Sequence, residues 1–201
     1  MTSIPPPSTP PEQGWVILDR DGVINRDRAD YVKTPAELDF LPGSLEAIAA
    51  LTQAGYGVVV ATNQSGVGRG LLSEEDLATI HAKLATAVRT AGGELLGVFV
   101  CPHAPEAGCE CRKPQPGLLR QIAAWAGIDL AGVPVVGDAA RDLEAAQSVG
   151  ALPILVRTGH GEKTLREWPD VASLTVFADL AAFATDWIAR AAAIEEHRDG
   201  A

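Results

Sequence analysis

Short, unbroken apolar runs alternate along the chain with stretches whose apolar residues recur every three or four positions. Trp15-Val16-Ile17-Leu18 reads as a first strand ending at Asp19. Pro42-Gly43-Ser44 then opens a helix with Leu45, Ile48, Leu51 and Thr52 on one face, closed by Gly55. Residues 56–61, centred on Val58-Val59-Val60, form a buried strand that ends at Thr62-Asn63. Ser73 followed by Glu74, Glu75 and Asp76 is an N-cap with acids in the first turn. Its helix repeats Leu77, Ile80, Leu84 and Val88 up to Gly92-Gly93. Residues 95–100 read as a third strand ending at Cys101, and Leu118, Leu119, Ile122 and Trp125 mark a helix stopped by Gly127. A fourth strand, 133–136, ends at Gly137-Asp138, and a helix passes through Leu143 and Ala146. Residues 151–156 are a fifth strand and 174–177 a candidate sixth, before an Ala-rich helix from Asp179 to about Glu196.

Strands that are apolar throughout, separated by helices, predict an α/β fold: a doubly wound parallel sheet covered on both faces. Ligands of such sheets bind at the carboxyl ends of the strands. The strand-end residues Asp19, Thr62-Asn63, Cys101 and Asp138 are therefore the first candidates for a site. The 201 residues fit one domain, expected over 15–190, with a tail at 191–201. Residues 1–14 carry five prolines and neither a charged nor an apolar signal region, which predicts a short flexible arm. No apolar run approaches the ~20 residues that span a bilayer, so no membrane partner and a cytoplasmic location are expected.

Hydrophobic residues make up 47%, enough for a sizeable core. The net charge of −10 is the opposite of a nucleic-acid footprint. Three cysteines cannot form a disulfide framework and fit a reducing compartment.

Asp19-Arg20-Asp21-Gly22-Val23-Ile24-Asn25 sets two carboxylates two residues apart, able to divide nucleophilic and proton-transfer work. A solvated Asp-Gly turn has the same letters. An EF-hand needs Asp or Asn and then Gly where this chain has Val23 and Ile24. Thr62-Asn63-Gln64-Ser65-Gly66-Val67-Gly68-Arg69-Gly70 offers hydroxyl and amide donors with close backbone approach, suited to phosphate oxygens. Its glycines match no nucleotide fingerprint, and a surface connection would look similar.

Cys101-Pro102-His103 and Cys109-Glu110-Cys111 gather all three cysteines and one of four histidines within eleven residues. Three thiolates and an imidazole make a closed Cys3His set, the pattern of structural zinc in a loop over 101–111. A redox or incidental cluster is the other reading. Arg112-Lys113, just beyond, supplies a fork and a point charge for phosphate, or simply two surface cations. Asp138 can share Mg2+ with a strand-one carboxylate or merely cap a helix, and Asp142 lies one turn further on. Single histidines rate lower: His81 reads as a packing or surface residue, and His160 as a loop residue or, alternatively, one at the pocket edge.

In this order, DRDGVIN, TNQSGVGRG, CPH…CECRKPQPG and VGDAARD resemble the haloacid dehalogenase superfamily over about residues 15–160. Within it they are similar to the heptose bisphosphate phosphatases, and less so to the histidinol-phosphate phosphatases. The resemblance implies a Rossmann-like domain with a small zinc-bound loop and no large cap. It implies a monomeric Mg2+-dependent phosphatase acting on a small phosphosugar in ADP- or GDP-heptose supply for lipopolysaccharide. Asp19 would attack phosphorus, and Asp21 would protonate the leaving oxygen and then activate water. Asp19, the backbone carbonyl of Asp21, and Asp138 would hold Mg2+. Thr62 and Lys113 would steady the phosphoryl group. Asp27, Tyr31, Thr62, Asn63, Gln64, Ser65, Arg112 and Lys113 would contact substrate, and Cys101, His103, Cys109 and Cys111 would hold zinc. The chain has Asp30 where the family has glycine before Tyr31, and Ala139 where a basic residue is common. From another class, the same scaffold could serve as a non-catalytic phosphosugar- or zinc-binding module.

Overall fold

The computed structural model of the chain describes residues 5–199, and side chains through residue 193. The first four residues of the expected arm and the last two of the expected tail lie outside the described residues. Six strands form one parallel sheet: β1 (Trp15–Leu18), β2 (Gly57–Asn63), β3 (Gly97–Cys101), β4 (Pro134–Gly137), β5 (Leu152–Val156) and β6 (Thr175–Phe177). Their order across the sheet is β3-β2-β1-β4-β5-β6. β1 therefore pairs on both sides, with Ile17 opposite Val59 of β2 and Val135 of β4.

Among the described residues seven helices accompany it: α1 (Ser44–Gln53), α2 (Ser65–Gly68), α3 (Glu74–Thr90), α4 (Gly117–Ala126), α5 (Ala140–Ser148), α6 (Gly161–Glu167) and α7 (Leu180–Asp199). The strand pleat divides the core in two. Val16, Leu18, Val58 and Val60 pack with α1, α3 and Phe183 of α7, whereas Ile17, Val59 and Ala61 pack with Leu119, Ile122 and α5. Trp125 of α4 closes the second layer edge-on against Trp15 and Phe99 at 5.6 and 5.4 Å. Burial of both strand faces is why β1, β2 and β4 carry no polar alternation.

The helix after Ser73 has a capping box: the Ser73 hydroxyl accepts from Asp76 N–H, and Asp76 returns the bond to Ser73 N–H. Three expectations change. Residues 65–68, read as a loop because of their glycines, make one helical turn. His160 lies in a turn, as read, but that turn caps an unexpected helix, α6, whose Thr164 hydroxyl donates to the Asp138 carbonyl at 2.8 Å. The last helix continues to Asp199, through most of the stretch expected as a tail. The long connections after β1 and β3 contain single 3-10 turns and no cap domain among the described residues.

Candidate active site

β1 and β4 are neighbours whose connections run to opposite sides of the sheet, so a crevice opens at their carboxyl ends. Asp19 and Asp138 follow these two strands and are both buried. Their carboxylates come together with Asp142, at the first turn of α5, with oxygens within 4.8 Å of one another.

Lys113 supplies the compensating charge. Its buried ammonium lies 3.0 Å from Asp19 Oδ1 and 2.6 Å from Asp142 Oδ1, and donates to the Ala61 carbonyl at 2.6 Å. Burial opposes that charge, but Asp142 and Asp19 overcome it and raise the ammonium's pKa. The other oxygen of Asp142 accepts from Ala139 N–H at 3.1 Å, so Asp142 is occupied in holding Lys113 and the α5 N-terminus. Asn63 fixes the same lysine from behind, its amide exchanging bonds of 3.0 and 3.1 Å with the Lys113 backbone.

Asp138 has a different role. Its Oδ2 accepts from His160 N–H at 2.7 Å, while Oδ1 is buried with no hydrogen-bond partner. Burial, then Asp19 and Asp142, push its pKa up to about 8, and burial pushes Asp19 up to about 6 against the pull of Lys113. Crowded, desolvated carboxylates with an orphaned oxygen are the donor set of a hard divalent cation. Gly22 (φ +84°) and Gly159 (φ +56°) flank this carboxylate, and a Cβ on either would overlap it. No other residue type fits there without displacing Asp138.

Asp21 points elsewhere. Oδ1 accepts from Arg20 and from Asn25 Nδ2 at 2.8 Å, and Oδ2 from Gln64 Nε2 at 2.8 Å. Burial works upward, but the Arg20 guanidinium and these amides hold the carboxyl below its usual range. Gln64 also donates to Thr62 Oγ1 at 2.8 Å, tying the β2 terminus to the second acid.

A cleft of about 710 Å³ opens above these groups. Asp19, Asp21, Asp27, Tyr31, Thr62, Asn63, Gln64, Ser65 and Arg112 line it, and Lys113 and Asp138 lie buried beneath. Residues up to 119 positions from Asp19 in sequence thus converge on one site. Tyr31 holds a left-handed backbone (φ 66°), rare for an aromatic residue, and its ring packs over Gly66. Asp27 meets His160 Nε2 at 2.8 Å across the mouth. Arg141 also lines the cleft. Arg20 and His81 are the residues that motif reasoning passed over. Arg20 lies inside the first motif, but its letters only announced the two acids on either side.

The second cluster stands apart in the loop after β3. Sγ of Cys111 lies 3.2 Å from Sγ of Cys101, 3.4 Å from Sγ of Cys109 and 3.2 Å from Nδ1 of His103. These separations are far beyond a disulfide bond and near the ~3.7 Å edge of a tetrahedron with Zn–S bonds of about 2.3 Å. The loop is seated on the first site by Gln64 N–H to the Cys101 carbonyl and Gly68 N–H to the Pro102 carbonyl, both 2.8 Å.

A family model described as HAD-hydrolase-like matches residues 110–183. The chain is 53% identical over 169 residues to the D-glycero-beta-D-manno-heptose-1,7-bisphosphate 7-phosphatase of Bordetella bronchiseptica, covering 84% of this chain and 94% of that protein. It is 51% identical over 170 residues to the Pseudomonas aeruginosa protein of the same name, covering 85% and 95%. Among solved structures, the B. bronchiseptica D,D-heptose 1,7-bisphosphate phosphatase complexed with magnesium and phosphate superposes with a TM-score of 0.86 at 50% identity, covering 88% of this chain and 99% of that one. The Burkholderia thailandensis phosphatase of that name gives 0.70 at 43% identity, covering 87% and 98%.

Proposed function

The chain belongs to the heptose-1,7-bisphosphate 7-phosphatase family of haloacid-dehalogenase-like hydrolases, and from that membership we propose that it removes the 7-phosphate of D-glycero-β-D-manno-heptose 1,7-bisphosphate. The β anomer is the one in the relatives' names, which also favour heptose over histidinol phosphate. The observation that carries the reading is the pairing of Asp19 with Lys113 opposite the orphaned oxygen of Asp138.

Asp19 attacks phosphorus through its free oxygen while Oδ1 stays on Lys113, giving an aspartyl phosphate. Lys113 and the Thr62 hydroxyl neutralise and orient the phosphoryl oxygens, which is most of what phosphoryl transfer demands. Asp19, Asp138 and the carbonyl of Asp21 fit Mg2+, which when bound supplies charge neutralisation at the phosphoryl oxygens. Asp21 delivers the proton to the departing C7 oxygen, and its ionised form then takes a proton from the attacking water. Arrival of a phosphate dianion raises the pKa of Asp21 for the first task, and Arg20 restores its ionised form for the second. Arg112 and Tyr31, on the cleft wall, read the rest of the sugar phosphate. An intact acid pair is more than a mere binding module requires.

Zinc at Cys101, His103, Cys109 and Cys111 is a structural staple with no open position for catalysis. No helix among the described residues is long and apolar enough to cross a membrane. A cytoplasmic monomer working on a small phosphosugar, without nucleic acid, is the simplest setting.

The test is 31P NMR of the reaction with wild type and D19N. The C7 phosphate resonance should vanish while the C1 resonance persists, and D19N should leave both. Release from C1, or undiminished turnover by D19N, overturns the reading.

A further inference from the structure

Arg20 is completely buried, the largest side chain among the described residues to be so. A guanidinium carries five N–H donors and no acceptor, and a buried one needs partners for its nitrogens. Asp21 takes one edge of the fork: Nη2 lies 2.9 Å from both carboxylate oxygens and Nε 3.3 Å from Oδ1. Nη1 is left over, and its partner is Nε2 of His81 at 3.1 Å.

Because arginine cannot accept, the ring nitrogen must. His81 is therefore the neutral tautomer, with its proton on Nδ1. Burial, with Arg20 alongside, pushes the ring's pKa down to about 3, so it remains an acceptor throughout the neutral range. Asp21 is the charge that works the other way on the ring. His81 follows Leu77 by one turn on α3, beside the buried Ile80 and Leu84. The capping box holds the start of that helix, and Lys83 bonds the Pro35 and Leu38 carbonyls at 2.6 and 3.1 Å. α3 is thus tied both to Arg20 and to the 3-10 turn at residues 35–37.

We propose that His81 is a positioning residue for the reaction: by accepting from Arg20 it holds the guanidinium square to Asp21 and so orients the acid–base carboxylate from α3. The proposal rests on the reading of Asp21 as the acid–base group. It differs from a packing role in what should replace the ring. A packing histidine is served by an apolar residue of similar size, whereas Arg20 needs an acceptor there.

The experiment measures kcat/KM, which reports the steps up to departure of the leaving group and not the later attack of water that both substrates share, for wild type, H81L, H81Q and D21N on heptose 1,7-bisphosphate and on p-nitrophenyl phosphate. The sugar leaves as a strongly basic alkoxide that needs a proton, whereas p-nitrophenolate leaves unaided. A well-placed general acid contributes about 10²–10⁴-fold, so H81L should lose about 10–100-fold in kcat/KM on the sugar. Its loss on p-nitrophenyl phosphate should be under about threefold, and H81Q, whose amide oxygen can accept, should recover most of the sugar activity. Equal losses on both substrates, or full sugar turnover by H81L, overturn the proposal. If H81L does not fold, H81M carries the same comparison. D21N separates the two readings: full sugar turnover by D21N sinks the acid–base assignment itself, whereas a D21N defect that H81L does not share sinks only His81.

Discussion

The Lys113 ammonium lies 3.0 Å from Oδ1 of Asp19, with both groups buried. The nucleophile is therefore held by one oxygen before any substrate arrives, and the other is left to react. Asp142 shares the same ammonium at 2.6 Å, so two carboxylates and one cation make a net negative cluster. Such a cluster waits for positive charge at Asp138, and burial, with Asp142 alongside, pushes Asp19 up to about 6 despite its partner.

Lys113 is expected to matter more than Asp142. K113M removes a preorganised donor at the transferring phosphoryl group, a loss of about 10²–10³-fold in kcat. D142N keeps the ammonium but loosens it, and should cost about tenfold. K113R should not rescue, since a planar fork cannot meet Asp19, Asp142 and the Ala61 carbonyl from one point. Steady-state rates of the three variants decide it; K113R at wild-type rate refutes the three-way seat.

Mg2+ should stabilise the fold more at pH 8 than at pH 6. Asp138 near 8 and Asp19 near 6 are raised above the ordinary carboxylate value of 3.8, so without Mg2+ the native state holds protons that the unfolded chain has released. Their contribution to stability is present below pH 4 and lost as pH rises towards 8. Mg2+ replaces those protons, so its effect grows over the same window. Thermal melts with and without Mg2+ at the two pH values test this. G22A, which drives a Cβ into Asp138, should show no Mg2+ shift at either.

His81 carries the opposite sign. Its folded pKa, about 3, lies below the unfolded value of 6.5, so its contribution to stability is present above pH 6.5 and lost as pH falls towards 3. The stability advantage of wild type over H81L in urea should therefore shrink between pH 7.5 and 4.5. A constant difference would mean that the ring is not buried as a neutral acceptor.

The site's acids were legible because the signal for a parallel strand is an apolar run, and the run's last residue is where the crevice opens. Leu18-Asp19 and Val136-Gly137-Asp138 carry that signal complete. The Ser73 cap was legible for a similarly local reason. The Arg20–His81 contact joins residues 61 apart, and depends on which flank of the Leu77, Ile80 and Leu84 stripe faces β1. Periodicity leaves that rotation open. α6 was hidden because Gly159-His160-Gly161 has poor helix propensity, and Thr164 gains its helical place from a bond to the Asp138 carbonyl. Local letters cannot report support that arrives from another strand.

Removing zinc should weaken substrate binding more than chemistry. Cys111 is followed at once by Arg112, which reaches back to the His103 carbonyl at 3.5 Å and lines the cleft. Loss of the Cys3His tether frees that segment. Lys113 is the next residue, yet Asn63 clamps its backbone at 3.0 and 3.1 Å and its ammonium is fixed by Asp19 and Asp142. The lysine should therefore stay seated when the loop loosens. C109S, with two thiolates and the imidazole remaining, should lose its zinc and raise KM about tenfold while kcat changes by less than about threefold. In N63A the second restraint is gone, and the same C109S change should then lower kcat as well, by clearly more than the product of the single effects. Elemental analysis should give about one zinc per wild-type chain. Wild type without zinc would remove the staple, and a kcat collapse in C109S alone would show that Asn63 does not insulate the lysine from the loop.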